Sequence, residues 1–465
     1  MNTSSFLRAI ATAAFLGTLG FGTTSCEDIV EATPINNLDA EAGYQSPQDV
    51  QAGLLGAYDA LQSANYYGLR YPLFAEMGAD NVRHRGTFPS FAQIFNNQIL
   101  FDNVELNNMY NVIYAGINRA NYVIQQAEKF PETASFPQKQ VIAQARLLRA
   151  FHYINLLGYW GGKPEGYGFP DGLGVPIRLT PTNKPEDAVP VARSSEQEVL
   201  QVINADIEYA IANLPDFVAS TAGVTRVGKA AANALKARLA LRNRDYATAA
   251  AAAAAVPTRV LVLDYESIFV SKNNSETIWE LAFDPTDTNQ FAFFYFPAAN
   301  GGRTEVAFSA SLQQAHETGD RRLPVNAAAA PAGTTRKYTR PIGDDNVQMI
   351  RYSEVLLTRA EALARIGGAA NLTTAVGLLN TVRSRAGLTA KIVTTQDALI
   401  TDILRERRVE LAHEGFRWFD LRRTGTAITT VPSLTSSNQP FRLLWPIPQR
   451  ELLNGNNLVK QNPGY

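Results

Sequence analysis

The stretch ERRVELAHEGFRWFDLRR, residues 406–423, combines dense charge of both signs with large apolar side chains. Just before it, Ile400, Ile403 and Leu404 recur at three and four residues, which predicts a helix with one apolar face. The charged residues then surround that face. Helices with mixed charge most often pair with neighbouring helices, so we interpret the stretch as a structural ion network. A charged binding or catalytic site is the alternative.

Neighbouring helical segments offer charged partners for this network. A helix is predicted over residues 351–366 and another over 373–385, because apolar residues recur at helical spacing in both. The candidate partners on these two helices are Arg351, Glu354, Arg359, Glu361, Arg383 and Arg385.

The composition describes an ordinary globular protein. The chain has 465 residues, of which 46% are apolar and 18% charged. Its 42 basic and 43 acidic residues give a net charge of −1. This balance shows none of the basic excess that marks nucleic-acid binding, so no nucleic-acid partner is predicted.

The N-terminus predicts export and a lipid anchor. Residues 1–25 contain one basic residue, an apolar stretch from Ala9 to Phe21 and then small residues, which is typical of a signal peptide. The only cysteine of the chain, Cys26, follows directly, as in bacterial lipoprotein signals. We therefore predict that Cys26 is lipidated and that residues 26–46 form a tether. An ordinary secretory signal is the alternative.

The rest of the chain predicts a mostly α fold in which helices occur in pairs, with a few short strands. Helices are predicted over residues 47–63, 106–129, 136–159, 195–214, 229–242 and 246–255, and a strand over 277–283. The pairing suggests tetratricopeptide-like packing that supports a loop-rich face. Two regions are predicted, an N-terminal one over 47–260 and a C-terminal one over 261–465.

Two segments rich in aromatic and amide side chains lack clear periodicity and are predicted to be mainly loop, at residues 64–102 and 284–304. Long loops are often functional. Aromatic faces stack on sugar rings, and Asp, Asn and Arg bond sugar hydroxyls, so both segments are candidates for ligand binding. Considered one at a time, however, an aromatic residue in a loop more often packs into the helical scaffold and fixes the loop there. The candidate residues are Asp80, Asn81, Arg83, Arg85, Phe88, Phe91, Asn289, Phe291, Phe294 and Tyr295.

Several blocks of the sequence resemble one family. They are ARLLRAFHYINLLGYWGGKP (145–164), MIRYSEVLLTRAEALARIG (349–367), the stretch at 406–423 and WPIPQRELLNGNNLVKQNPGY (445–465). All are similar to blocks of the SusD/RagB nutrient-binding lipoproteins of Bacteroidetes outer membranes. The resemblance implies a surface-exposed, lipid-anchored protein with a mainly helical fold. It also implies a SusC-like TonB-dependent barrel as partner, for which the protein acts as lid, and a glycan or peptide ligand.

Catalysis has little support in the sequence. The four histidines, at positions 84, 152, 316 and 413, form no His-Glu-x-x-His motif, and no Gly-x-Ser-x-Gly is present. No catalytic residue, cofactor or metal site is predicted. We expect a binding protein for an oligosaccharide, more than for a peptide. A surface glycoside hydrolase and a helical scaffold without a small ligand are the alternatives.

Overall fold

Helices make up most of the structure, a computed structural model that describes residues 43–216 and 223–465. The predicted signal peptide and Cys26 lie outside the described residues. In chain order the helices are α1 (Pro47–Gln62), α2 (Arg70–Met77), α3 (Pro89–Phe95), α4 (Val104–Ala127), α5 (Gln138–Trp160), α6 (Glu196–Asn213), α7 (Lys229–Arg242), α8 (Tyr246–Ala254), α9 (Ser267–Val270), α10 (Phe291–Tyr295), α11 (Ala310–Ala315), α12 (Leu323–Asn326), α13 (Tyr352–Ile366), α14 (Ala369–Arg385), α15 (Gln396–Glu410), α16 (Arg417–Arg423), α17 (Ala427–Thr430), α18 (Pro432–Ser437) and α19 (Gln449–Asn454). Within the described ranges, no helix is long and apolar enough to cross a bilayer.

The long helices begin where their sequences supply a cap. Ser195 accepts a hydrogen bond from the Glu198 amide, and the Glu198 side chain bonds back to the Ser195 amide, which completes the capping box at the start of α6. Asn103 caps α4 by accepting from the amides of Glu105 and Leu106. Ser46 caps α1 ahead of a proline at the first helical position. These side chains fix the helix starts within two residues of the predicted ones.

Consecutive helices pack as pairs, and the mainly α fold with few short strands is confirmed. α4 packs on α1 and α5, α5 on α6, and α7 on α8. α13 then packs on α8, α14 and α15. At the contact between α8 and α13, Ala249, Ala250 and Ala362 lie in one buried cluster, where small side chains let the helix axes approach closely.

Two antiparallel ribbons supply the described strands. β1 (Val82–His84) pairs with β3 (Val306–Phe308), and β2 (Thr277–Leu281) pairs with β4 (Val347–Arg351). The second ribbon is buried on both faces, so Trp279 is a core residue. The first ribbon joins the segment 64–102, which was predicted to be mainly loop, to the residues that directly follow the second such segment, 284–304.

The prediction that residues 64–102 and 284–304 are mainly loop was wrong in part. The first contains α2, β1 and α3, and the second contains α10. Every residue of α2 from Tyr71 to Met77 is buried. A short helix that is buried on all sides has no polar face and therefore no apolar periodicity, which is the signal that the prediction needs.

Gly415 divides the charged stretch into α15 and α16. Its φ is +86°, and a Cβ there would lie 2.7 Å from Pro72, so the turn requires glycine. The reversal places α16 against α2.

Two buried histidines make stability depend on pH. Burial, with a contribution from Arg119, lowers the pKa of His152 to about 3, and burial with Lys337 does the same for His413. An unfolded His has a pKa of about 6.5. The unfolded chain therefore binds more protons between pH 6.5 and 3, and stability falls as the pH is lowered through that window.

We expect the free energy of unfolding to fall by about 1.4 kcal/mol per pH unit for each of these histidines below pH 6. Urea unfolding at pH 7, 6 and 5 measures the slope. The substitution His152→Asn should reduce the slope by about 1.4 kcal/mol per pH unit, even if it lowers stability at every pH. An unchanged slope in this variant would contradict the role of His152.

Candidate functional site

The charged stretch at 406–423 forms a buried ion network, as favoured from the sequence. At its centre, Glu410 accepts hydrogen bonds from Arg322, Arg351 and Arg385. Glu410 and Arg351 are 0% and 1% exposed. Burial opposes ionisation, but Arg385, Arg351 and Arg322 together hold the pKa of Glu410 well below its usual value. Both oxygens of the Glu410 carboxylate are occupied by these arginines, so the carboxylate has a structural role and is not accessible to a ligand.

Most of the predicted partners join this network. The Arg383 guanidinium lies 3.0 Å from Glu406, and that of Arg423 lies 2.6 Å from Glu361. The predictions for Glu354 and Arg359 were wrong. Glu354 pairs with Arg238 on α7 at 2.6 Å, and Arg359 forms no ion pair with the stretch within the described residues. The predicted partners that the structure confirms are Arg351, Glu361, Arg383 and Arg385.

An open groove lies instead at the end of the β1–β3 ribbon. Its volume is about 340 Å³, which is within the range of small-molecule sites. Residues 79–83 form one wall, the segment after β3 a second, and residues 430–436 the third. The groove is lined by Ala79, Asp80, Val82, Arg83, Phe95, Asn96, Ser309, Ser311, Thr430, Val431, Pro432, Ser433 and Ser436.

Asp80 is the carboxylate that lines the groove, and two arginines hold it. Arg417 Nε donates to one carboxylate oxygen at 2.6 Å, and Arg408 lies 2.9 Å from the other. Asn81 is buried below, where its amide oxygen accepts from Arg408 Nε at 2.9 Å. The charged stretch thus reaches the groove through Arg408 and Arg417.

Arg83 and Arg85 are exposed along the same ribbon. They alternate in exposure with Val82, which is buried, and His84, which is half-buried, so both arginines lie on the outer face of the strand. Neither guanidinium has a hydrogen-bond or ion-pair partner within the described residues. They are free to bind a ligand.

Phe95 and Asn96 supply the aromatic and amide side of the groove. Phe95 ends α3 and is half-buried, and Asn96 follows it and is exposed. A ring with one open edge or face and an adjacent amide are the groups that contact a sugar ring and its hydroxyls. Serine and threonine hydroxyls on the other two walls add groups that both donate and accept hydrogen bonds.

Phe88 lies on the other side of the ribbon, under an arginine. The Arg303 guanidinium stacks 3.7 Å from the centre of its ring. Glu305 holds this corner together, because it accepts from His84 Nε2 at 2.9 Å, the Phe88 amide at 2.9 Å and Arg303 at 3.0 Å. Phe88 is half-buried and does not line the groove.

The remaining candidates are packed inside the protein. Phe91 stacks on Phe294 with ring centres 5.5 Å apart. Phe291 stacks on Tyr338 at 3.9 Å, and the Tyr295 hydroxyl lies 2.8 Å from His413 Nδ1. Asn289 donates to the Asp345 carbonyl and accepts from the Phe291 amide. Their contact with a ligand stays a prediction, and their burial favours a role in fixing the two segments to the helices.

Sequence reasoning missed most of the groove. Asp80 and Arg83 were among the candidates, and Phe95, in the same segment, was not. The hydroxyl residues of the other two walls lie more than 200 positions later in the chain. No local pattern marks them, because isolated serines and threonines occur throughout the surface. The residues not predicted are Asn96, Ser309, Ser311, Thr430, Ser433 and Ser436.

The described residues hold no group of three or more Asp, Glu, His and Cys side chains placed to bind a metal ion. His413 donates from Nε2 to the Asn326 carbonyl, so its Nδ1 accepts from Tyr295 and the ring is a neutral core residue. His152 is also buried, with Nδ1 3.1 Å from the Tyr66 hydroxyl. The groove can bind hydroxyl groups and a ring face, but its lining presents a single carboxylate.

A narrower internal cavity lies between α5, α7 and α16. Its free volume is about 40 Å³, enough for water but not for a sugar ring. Its walls include Arg238, which pairs with Glu354, and Asp420, which pairs with Arg407 and Arg423. These charges are already satisfied, so the cavity is a gap within the scaffold.

Two family models match the chain in sequence. Residues 321–465 match a model described as the SusD family, and residues 32–241 match one described as starch-binding associating with outer membrane. A similar relative is SusD-like protein P38 from Formosa agariphila. It is 28% identical, and the match covers 95% of this chain and 96% of the relative.

Solved structures share the fold. A SusD superfamily protein from Bacteroides vulgatus superposes with a TM-score of 0.78 at 21% identity, over 91% of this chain and all of that one. A structure named as a laminarin-binding SusD-like protein superposes with a TM-score of 0.73 at 24% identity, over 90% and 99% of the two chains.

Proposed function

The chain belongs to the SusD family, and from that premise we propose that it captures an oligosaccharide in the groove beside Phe95. A SusC-like TonB-dependent barrel in the outer membrane then receives the ligand, and the protein acts as lid of that barrel. The lining of the groove is the observation that carries the proposal. It combines an aromatic ring, an amide, five hydroxyl side chains and an unpaired arginine in one opening.

The chemistry of the lining suits a sugar. A sugar ring offers an apolar face of C–H groups and a rim of hydroxyls that both donate and accept hydrogen bonds. Phe95 supplies an apolar surface for the first, and Asn96, Ser433 and Ser436 supply donors and acceptors for the second. The description of one matching model as starch-binding, and the name of a laminarin-binding structural neighbour, support a glycan over a peptide.

A binding protein without hydrolytic activity fits the site better than an enzyme. Glycoside hydrolysis needs two carboxyl groups on either side of the bond that is cleaved. Asp80 is the one carboxylate of the lining, and Arg408 and Arg417 occupy it. The groove therefore lacks a second carboxylate to pair with it.

A panel of oligosaccharides tests the function. Isothermal titration calorimetry measures binding of purified residues 27–465 to each glycan, and mass spectrometry of the same samples measures cleavage. We expect binding of at least one glycan with its mass unchanged. Release of shorter products would support the hydrolase alternative, and absence of binding to every glycan would leave the scaffold alternative.

We also propose that Cys26 carries the lipid that anchors the protein to the outer membrane. The apolar stretch followed by the only cysteine supports this. The substitution Cys26→Ala should move the protein from the membrane fraction to the soluble fraction after a carbonate wash. The matched control is Ser25→Ala, which should stay in the membrane fraction. A Cys26→Ala protein that remains there in a strain without the barrel would contradict the anchor.

A further inference from the structure

The charges around the groove distinguish between classes of glycan. Arg83 lines the groove and Arg85 follows it on the same face of the strand. Residues two apart in a strand are separated by about 6.5 Å, so both guanidinium groups can reach one bound chain. Neither is paired within the described residues, and each carries five N–H donors with no acceptor.

The nearby carboxylates, in contrast, have their oxygens occupied. Asp80 accepts from Arg417 and Arg408, and Ser311 lies 3.5 Å away. Glu305 accepts hydrogen bonds from His84 Nε2, the Phe88 amide and Arg303 Nε. Glu76, below the groove, accepts from Asn81 and from the amides of Gly415 and Phe416. None of the three has its oxygens open to a ligand.

The register of the ribbon keeps the two arginines uncovered. Arg83 pairs with Ala307 and His84 with Val306 across the strands. The residue opposite Arg83 is thus small and uncharged, and no acidic side chain lies opposite it to neutralise it. Arg83 therefore presents a free cationic donor in the groove and Arg85 a second one on the exposed surface beside it, without free anionic acceptors.

We propose that the groove selects oligosaccharides that carry anionic substituents, carboxylate or sulfate ester, which Arg83 and Arg85 bind. This inference rests on the proposed function, since it names the substrate class of the same groove. A guanidinium group binds carboxylate and sulfate oxygens in pairs, and these charge-assisted bonds are about twice as strong as neutral ones. A neutral glycan would provide no anionic partner, so both guanidinium groups would keep water as their main hydrogen-bond partner.

Matched pairs of glycans test the proposal. One pair is oligogalacturonate and its methyl ester, and the other is κ-carrageenan oligosaccharides before and after desulfation, so the first reports on carboxylate and the second on sulfate. Neutral starch and laminarin oligosaccharides complete the panel. Calorimetry at 50 and 500 mM NaCl gives Kd for each. We expect the anionic member of at least one pair to bind tenfold or more tighter than its neutral partner, and only its Kd to rise steeply with salt.

Substitutions identify the groups responsible. The double variant Arg83→Gln and Arg85→Gln should remove the preference, so that within the variant the anionic member and its neutral partner bind with the same Kd. The control Arg336→Gln removes one exposed positive charge that does not line the groove and should leave the preference unchanged. The melting temperature of each variant shows whether it is folded.

The outcomes separate the inference from the function. Binding of neutral glycans only, or an equal Kd within each pair, would overturn the anionic preference and keep the glycan-binding function. A preference that survives the double variant would overturn the role of the two arginines. Failure to bind any glycan on the panel would overturn the proposed function and the inference with it.

Discussion

Replacing Arg351 by alanine is expected to lower the free energy of unfolding by about 3–5 kcal/mol. Arg351 is 1% exposed and bonds Glu276 at 3.0 Å, Glu414 at 2.7 Å and Glu410. Its loss leaves three buried carboxylates with too few positive charges. A buried charge that loses its partner costs far more than the pair contributed, which is why the effect is large. Urea unfolding at pH 7 measures it.

The matched control is Arg336→Ala. Arg336 also pairs with a glutamate, Glu266, at 2.6 Å, but its side chain is 50% exposed. Water screens such a pair, and its loss should cost less than about 1 kcal/mol. Equal destabilisation by the two substitutions would mean that the network at 406–423 does not hold the C-terminal helices together.

The second large effect is on binding, from Phe95→Ala. The ring forms the aromatic wall of the groove and is half-buried at the end of α3. Its removal takes away the apolar surface against which a sugar ring would pack. We expect Kd for the best glycan of the panel to rise roughly tenfold or more, which corresponds to about 1.4 kcal/mol. Calorimetry with the wild-type and substituted proteins measures the change.

Phe293→Ala is the control for Phe95→Ala. Phe293 is 42% exposed, lies in the second aromatic segment and does not line the groove. We expect an unchanged Kd. Loss of binding on Phe293→Ala with none on Phe95→Ala would move the site to the segment at 284–304.

The scaffold could be predicted from the sequence because its signals are local. The helix pairs show apolar residues at helical spacing. Ser195 and Glu198 form a capping box that spans only four residues and marks the start of α6. The charged stretch at 406–423 also predicts a structural ion network, since charges next to apolar residues cannot be buried without partners of opposite charge. The family blocks lie in these elements. Glu354 was misassigned because spacing alone cannot tell on which side a charged residue finds its partner.

The groove could be predicted only in part. Asp80 and Arg83 stand out in an aromatic and polar segment, but the wall at 309–311 joins them only through the pairing of β1 with β3. The wall at 430–436 reaches the groove through other tertiary contacts, such as the hydrogen bond from Asn97 to Ser433. The aromatic residues of the two segments were chosen as ligand-binding candidates because their packing partners are also distant in sequence. Phe91 and Phe294 are far apart in sequence and stack on each other, so each looks free when only its own segment is read.

A crystal structure of residues 27–465 with the tightest-binding oligosaccharide decides whether the groove beside Phe95 is the binding site. We expect a sugar ring against Phe95 and hydroxyl groups within hydrogen-bond distance of Asn96 or Ser433. An oligosaccharide bound at another surface, with this groove filled by solvent, would contradict it.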